Sequence, residues 1–196
     1  MKTWSTAALV SRFRRWYADA RRAGVPLPHA TALATATRSG RPSVRFVLLK
    51  DADAAGFVFY TDTRSRKSVE LDANNHAALA FYWEGIVRQI RIEGRVERVS
   101  EAAAERDWRR RPREQQIVIA ATEQSAPTAS HRSLAAAVAR LGRHYTSGRV
   151  PRPRSWMGYR LVPNAIEFWS HRDDRLHRRE LFTRRGARWR RTLLQP

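Results

Sequence analysis

Residues 76–99 read HAALAFYWEGIVRQIRIEGRVERV, and the fold turns on this stretch. HAALAFYWE (76–84) and IVRQIRIEGRVERV (86–99) are two extended runs joined around Gly85, the pattern of an antiparallel strand pair. In the second run Ile86, Ile90, Ile92 and Val96 keep one parity, while Gln89, Arg91 and Glu93 keep the other. A period of two sends one set to a core and the other outward. Gly94 falls where a bulge or a barrel corner would need a residue without a side chain.

The strand pattern extends in both directions. Upstream, TALATAT (31–37) is small and tolerates extended backbone, SGRP (39–42) is a turn, and VRFVLLK (44–50) is a strand. DADAAG (51–56) reads as a connection to the strand FVFYT (57–61). A short helix is expected to begin near Arg64, with Asp62 or Thr63 as its cap. Downstream, Ser100 caps a helix reaching about Arg111, where Pro112 stops it and opens the next. Leu134, Val138 and Leu141 put an apolar stripe on a third helix. The loop TSGRVPRPRS (146–155) leads to the strands MGYRLV and AIEFW, then to a terminal hairpin turning near Gly186. Near the N-terminus, Leu9, Phe13 and Trp16 fall at helical spacing. With only a lone Lys2 and no clear cleavage site, that segment reads as an amphipathic helix rather than a signal peptide. The expectation is a mainly β, α+β fold: one barrel domain over residues 1–196 with helices packed outside. There is no internal repeat, and no linker is long enough to separate domains.

The composition, 42% hydrophobic and 10% aromatic, excludes a disordered chain. No apolar run approaches the length of a membrane span. The absence of cysteine removes disulfides, thiolate ligands and a cysteine nucleophile, and fits a cytoplasmic protein. The formal charge is +20, carried almost wholly by arginine. Such a charge suits anionic partners and could support nucleic-acid binding. The arginines are scattered through the chain, which favours a solvated, arginine-substituted surface instead.

The chain contains no G-x-G-x-x-G, Walker loop or G-x-S-x-G motif. Its six histidines are dispersed, and no metal site is expected. Arginine and lysine instead recur beside hydroxyl and amide side chains at strand ends and helix starts. In YTDTRSRK (60–67) a strand ends in hydroxyl residues and the following helix begins with Arg64, Ser65, Arg66 and Lys67, of which Arg66 and Lys67 add charge-assisted bonds. Free N–H groups at a helix start favour an anion, although cations there oppose the helix dipole. RFVLLK (45–50) has basic residues at both ends, but strict alternation sends Arg45 and Lys50 to opposite faces. A bend, or Lys50 lying past the strand end, would relax this. EFWSHRDDRLHRR (167–179) joins an aromatic strand end to Arg175, His177 and Arg179.

RFVLLK, FVFYTDTRSRK, LAFYWEGIVRQIRIEGRVERVS, RRPREQQI, EQS at 123–125 and IEFWSHRDDRLHRR occur here in one order. Together they resemble the pyridoxamine 5′-phosphate oxidases, FMN-dependent flavoenzymes, over nearly the whole chain from about residue 30 to the terminal LLQP. The resemblance implies an FMN-binding split β-barrel that forms a homodimer with FMN at the subunit interface. It implies cofactor contacts from Arg45, Lys50, Tyr60, Thr61, Arg66, Lys67, Gln89, Gln124, Ser125, Trp169 and Arg179, some from the partner subunit. It places Arg175 and His177 over the substrate ring, as catalytic residues, and Lys50 and Arg111 on a substrate phosphate. Substrate would lose a hydride to the flavin, and dioxygen would take the electrons to give hydrogen peroxide.

The departures from the family pattern cluster on the substrate side. Asp107 stands where the family has a phosphate-binding tyrosine, Gln115 where a serine is common, and Leu27 where an acidic residue is usual. The family's G-A-W reads Val118-Ile119-Ala120. Asp107 could pair with Arg111 at i+4, and Gln115 at i+8 would share that face if Pro112 did not turn the chain. The expected substrate wall is therefore Lys50, Asp107, Arg111, Gln115, Arg175 and His177. Three functions follow: an oxidase with a changed, flat aromatic substrate, as in the phenazine-biosynthesis flavin oxidases; a true pyridoxamine/pyridoxine 5′-phosphate oxidase; or a non-enzymatic flavin- or nucleic-acid-binding barrel.

Overall fold

The computed structural model describes residues 4–186 and 188–196, so Lys2 lies outside the described residues. The strands are β1 (Ala30–Ala36), β2 (Pro42–Leu48), β3 (Asp51–Asp53), β4 (Gly56–Asp62) and β5 (His76–Trp83). They continue with β6 (Arg88–Arg98), β7 (Trp156–Ser170), β8 (Arg178–Arg185) and β9 (Arg188–Leu194). The helices are α1 (Thr6–Arg22), α2 (Arg66–Ala73), α3 (Glu101–Arg110), α4 (Arg113–Ala121) and α5 (His131–His144). All the strand pairs are antiparallel, in the order β2-β1-β5-β6-β7-β4-β3, and β8 and β9 join along β7. The long β7 therefore touches β4 through its first half and β8 through its second, which curls the sheet into a half-barrel.

The inward parity of these strands makes the core. Leu33, Leu79, Phe81, Ile90, Ile92, Phe57, Phe59, Leu161 and Ile166 are fully buried. Helix α1 closes the open side with Leu9, Val10 and Phe13, and the Phe13 ring lies edge-on to Phe57 at 5.1 Å and Phe81 at 5.2 Å. Each such side chain contributes roughly 1.5–3 kcal/mol when buried, so the helix is part of the barrel's closure. Trp16 stays half-buried, edge-on to Phe168 at 5.2 Å.

Several local expectations change in the structure. MGYRLV and AIEFW are one strand, because a register shift at Glu93/Gly94 absorbs Pro163, whose missing N–H a bulge can tolerate. DADAAG contains the short strand β3: Asp53 accepts hydrogen bonds from the backbone of Ala55 and Gly56 and so folds a tight hairpin. Ile86 leaves the strand for a 3-10 turn over Glu84–Ile86, and still packs on the core. Helix α2 starts at Arg66 with Ser65 at its N-cap, not with Asp62 or Thr63. The Asp62 carboxylate instead accepts the Arg64 backbone N–H at 2.8 Å and its guanidinium. Ser100 caps α3 as expected. The face of VRFVLLK carrying Val44, Phe46 and Leu48 is exposed, so β2 is covered on one side only.

Gly94 sits at the bulge, where a Cβ would lie 2.1 Å from the Val162 carbonyl oxygen. Gly94→Ala must push two backbones apart, and overpacking of this kind costs roughly 1–3 kcal/mol. At roughly 2–4 °C per kcal/mol for a chain of this size, thermal denaturation should show a melting temperature several degrees lower.

Candidate active site

Strand β4 ends in Thr61 and Asp62, and the chain turns through Ser65 into α2. Lys67 is buried there, 6% exposed. Its Nζ donates to Thr61 Oγ1 at 3.1 Å, Ser65 Oγ at 3.1 Å and Gln124 Oε1 at 2.9 Å, all neutral acceptors. Burial, reinforced by the Arg45 cation, lowers its pKa to about 8. Ser125 Oγ accepts the Arg66 backbone N–H at 3.4 Å. Six of the expected cofactor residues, Arg45, Thr61, Arg66, Lys67, Gln124 and Ser125, thus converge on the first turn of α2. A buried ammonium with neutral hydrogen-bond partners, beside two guanidinium groups that share the one Glu70 carboxylate, leaves the cluster cationic. A phosphate monoester supplies the counter-charge, and these donors fit the phosphate end of FMN.

A second group lies on the other half of the sheet. Gln89 pairs with Trp169 across β6 and β7, and Trp169 pairs with Arg179 across β7 and β8. Arg179 Nε donates to Glu167 Oε1 at 2.8 Å, and Arg91 holds the same carboxylate. Burial pushes the Glu167 carboxyl up, but hydrogen bonds and charge from both arginines outweigh it and hold the pKa down. The His177 ring lies 4.9 Å from Trp169 and 5.1 Å from His171, and its Nδ1 accepts the Arg172 N–H at 3.3 Å. Arg175 is exposed, at φ 62° in a turn that its own N–H closes onto the Arg172 carbonyl.

The two groups are tied to opposite ends of β7. Thr61 pairs with Met157 near the start of β7, whereas Gln89 and Arg179 pair with Trp169 near its end. Twelve residues of β7 separate the two pairing positions, Met157 and Trp169.

The third group lines a cavity of about 410 Å³ whose walls include Lys50, Tyr60, Arg106 and Asp107. Tyr60 falls here rather than beside Lys67, because it and Thr61 point to opposite faces of β4. Lys50 lies past the end of β2, and its side chain joins this cavity while Arg45 turns to the α2 cluster. Asp107 and Arg111 form an ion pair at 2.8 Å, their side chains only 13% and 11% exposed. The Trp156 indole N–H reaches the same carboxylate at 3.4 Å, and the Arg111 guanidinium stacks over the Trp156 ring at 4.4 Å. Of the expected substrate wall only Lys50 and Asp107 line this cavity; Arg111 borders a separate cavity with Trp108, Arg113 and Arg152, and Gln115 lies on neither. Arg111 and Pro112 are extended, with ψ of 140° and 142°, so the chain turns and Gln115 lines a separate surface groove with Val118 and Ile119.

Three polar residues of the α2 cluster, Glu70, Ser43 and Thr35, escaped the sequence reading. Glu70 could have been noticed as the i+4 partner of Arg66, and Ser43 as the hydroxyl two residues before Arg45. Thr35 belongs to a different strand, and no local pattern connects it to α2. Among the described residues there is no group of three or more acidic, histidine or cysteine side chains able to hold a metal ion. No helix among them is long and apolar enough to cross a membrane.

The curled antiparallel sheet with a basic helix start defines the class first: a flavin-binding type of split barrel. Residues 17–145 match the family model described as pyridoxamine 5′-phosphate oxidase. Residues 156–196 match the pyridoxine 5′-phosphate oxidase C-terminal dimerisation region. The chain belongs to the pyridoxamine 5′-phosphate oxidase family, and with it to the FMN-dependent oxidoreductases. It is 48% identical to a pyridoxine/pyridoxamine 5′-phosphate oxidase of Rubrobacter xylanophilus, across 95% of this chain and 86% of that one. It is 47% identical to the enzyme of that name from Novosphingobium aromaticivorans, across 95% and 93%. Among solved structures, PhzG of Burkholderia lata, in complex with tetrahydrophenazine-1-carboxylic acid, superposes with a TM-score of 0.92. It is 36% identical, covering 95% of this chain and 92% of that one.

Proposed function

We propose that the protein is a homodimeric FMN-dependent oxidase acting on a small, flat, oxidisable aromatic or heteroaromatic compound, with dioxygen as electron acceptor. FMN, when bound, would supply the redox chemistry: a two-electron oxidation of the substrate balanced by reduction of dioxygen to hydrogen peroxide. The chain's own residues bind and orient. Lys67, Arg45, Arg66, Thr61, Gln124 and Ser125 take the phosphate end, while Gln89, Trp169 and Arg179 of the partner subunit's copy border the ring end. Arg175 and His177 face the substrate ring, with His177 available to hold or move a proton. Lys50 and Tyr60 sit in the cavity next to Asp107.

The observation that carries a changed substrate is the Asp107–Arg111 pair. The guanidinium that would grip a substrate phosphate is already bonded to a carboxylate and stacked on Trp156. Bringing a dianion beside Asp107 costs about twice the repulsion that a monoanion would meet. A reduced aromatic carboxylate, of the kind bound to PhzG, suits such a wall better than a phosphate ester. The names of the relatives at 44–48% identity favour a second reading, turnover of pyridoxine or pyridoxamine 5′-phosphate. The purified protein should be yellow, and an oxygen electrode with both substrate classes separates the readings. Rates and KM typical of a vitamer phosphate oxidase would discard the changed substrate, and a colourless chain that takes up no FMN would discard both.

A further inference from the structure

We propose that Glu70 is a positioning residue of the cofactor site: one carboxylate that holds Arg45 and Arg66 in register for a phosphate it does not itself touch. The inference rests on the reading of the α2 start as the FMN phosphate site. Glu70 lies one helical turn after Arg66 and is 5% exposed. Its Oε1 accepts the Arg66 Nε–H at 2.9 Å. Its Oε2 accepts Arg45 at 3.2 Å, together with the hydroxyls of Thr35 on β1 and Ser43 on β2. Arg45 is held further by the Leu33 carbonyl at 3.2 Å and by the same two hydroxyls. Arg66 has no such support: its side chain is 65% exposed, and Glu70 is the acceptor that fixes it.

The carboxylate is built to stay charged. Burial alone would push it up, yet the bonds from Ser43, Thr35, Arg66 and Arg45 bring its pKa down to about 2. An acceptor-only anion cannot bond a phosphate, so its use near one lies in what it does to the cations. Arg45, Arg66 and Lys67 are three cations against the one carboxylate that two of them touch, so this corner of the site stays cationic and suits a phosphate. Two roles are thereby separable. If Glu70 only tempers the charge, removing it strengthens FMN binding. If it fixes two guanidinium groups, any change of its reach weakens binding, since a preorganised fork loses less freedom on gripping a phosphate.

The test is titration of the apoprotein of Glu70→Asp and Glu70→Gln with FMN and with riboflavin, which lacks the phosphate, followed by flavin fluorescence. Glu70→Asp keeps the charge and shortens the reach. Loss of FMN affinity by about tenfold, the equivalent of one charge-assisted bond, is expected in both variants, with riboflavin affinity unchanged. Ser43→Ala, which removes one anchor of the carboxylate and no charge, should move FMN the same way by less. Wild-type FMN affinity in Glu70→Asp, or tighter FMN binding in Glu70→Gln, overturns the positioning role. If the wild-type chain itself binds riboflavin as tightly as FMN, the phosphate site is wrong and the proposal falls with it.

Discussion

Replacing Lys67 by methionine is expected to weaken FMN binding by roughly 10- to 100-fold, the worth of one charge-assisted hydrogen bond, and to leave riboflavin binding unchanged. Methionine keeps the length and apolar stem of the buried side chain, so the barrel end stays filled. What is lost is an ammonium whose partners, Thr61, Ser65 and Gln124, carry no charge. The same group sets a pH dependence. Its pKa in the free chain is lowered to about 8, below the ordinary lysine value of 10.5. A phosphate dianion favours the protonated form, so FMN affinity falls as pH rises through about 8, and binding is accompanied by proton uptake in that range. The folding sign is opposite. The unfolded chain holds this proton up to the ordinary lysine range and the folded chain does not. This group therefore makes the free protein more stable as pH rises from about 8 toward 10.5. Titration by isothermal calorimetry in buffers of different ionisation enthalpy measures both affinity and proton uptake. Unchanged FMN affinity in Lys67→Met would remove Lys67 from the site.

Asp107→Asn should act on stability and on specificity together. The substitution leaves the part-buried Arg111 without its counter-ion, and breaking such a pair costs up to about 3 kcal/mol. At roughly 2–4 °C per kcal/mol for a chain of this length, the melting temperature falls by up to roughly 6–12 °C. Inorganic phosphate, added at high concentration, should restore part of that loss in the variant and do less for the wild type, because a ligand of the folded state stabilises by mass action. With Arg111 released, KM for pyridoxine 5′-phosphate should fall by about tenfold. A KM that does not move would show that the Asp107–Arg111 pair does not decide the substrate.

The sequence made the barrel readable wherever the cause was local. Alternation in β6, the Ser100 cap, the Pro112 break and the hairpin at Gly186 each rest on a few neighbouring residues. Three-dimensional compensation was not readable. Pro163 looks like the end of a strand until a bulge opposite Gly94 absorbs it. Asp62 looks like a cap until Arg64 claims it. The site shows the same division. Arg66, Lys67 and the hydroxyls before them could be found from their spacing. The burial of Lys67, the arrival of Gln124 from beyond α4, and the Glu70 clamp could not. Helical periodicity puts Gln115 on the face of Asp107 and Arg111 only if the helix continues through Pro112, and the extended backbone at Arg111 and Pro112 ends it.

The central claim is that this FMN-dependent oxidase has kept the cofactor phosphate site and altered the substrate wall at Asp107. The most direct measurement is oxygen consumption by the FMN-loaded protein, comparing kcat/KM for pyridoxine 5′-phosphate with that for a reduced aromatic carboxylate lacking phosphate. The account predicts the higher value for the carboxylate. Faster turnover of pyridoxine 5′-phosphate, abolished by Arg111→Ala, would contradict it.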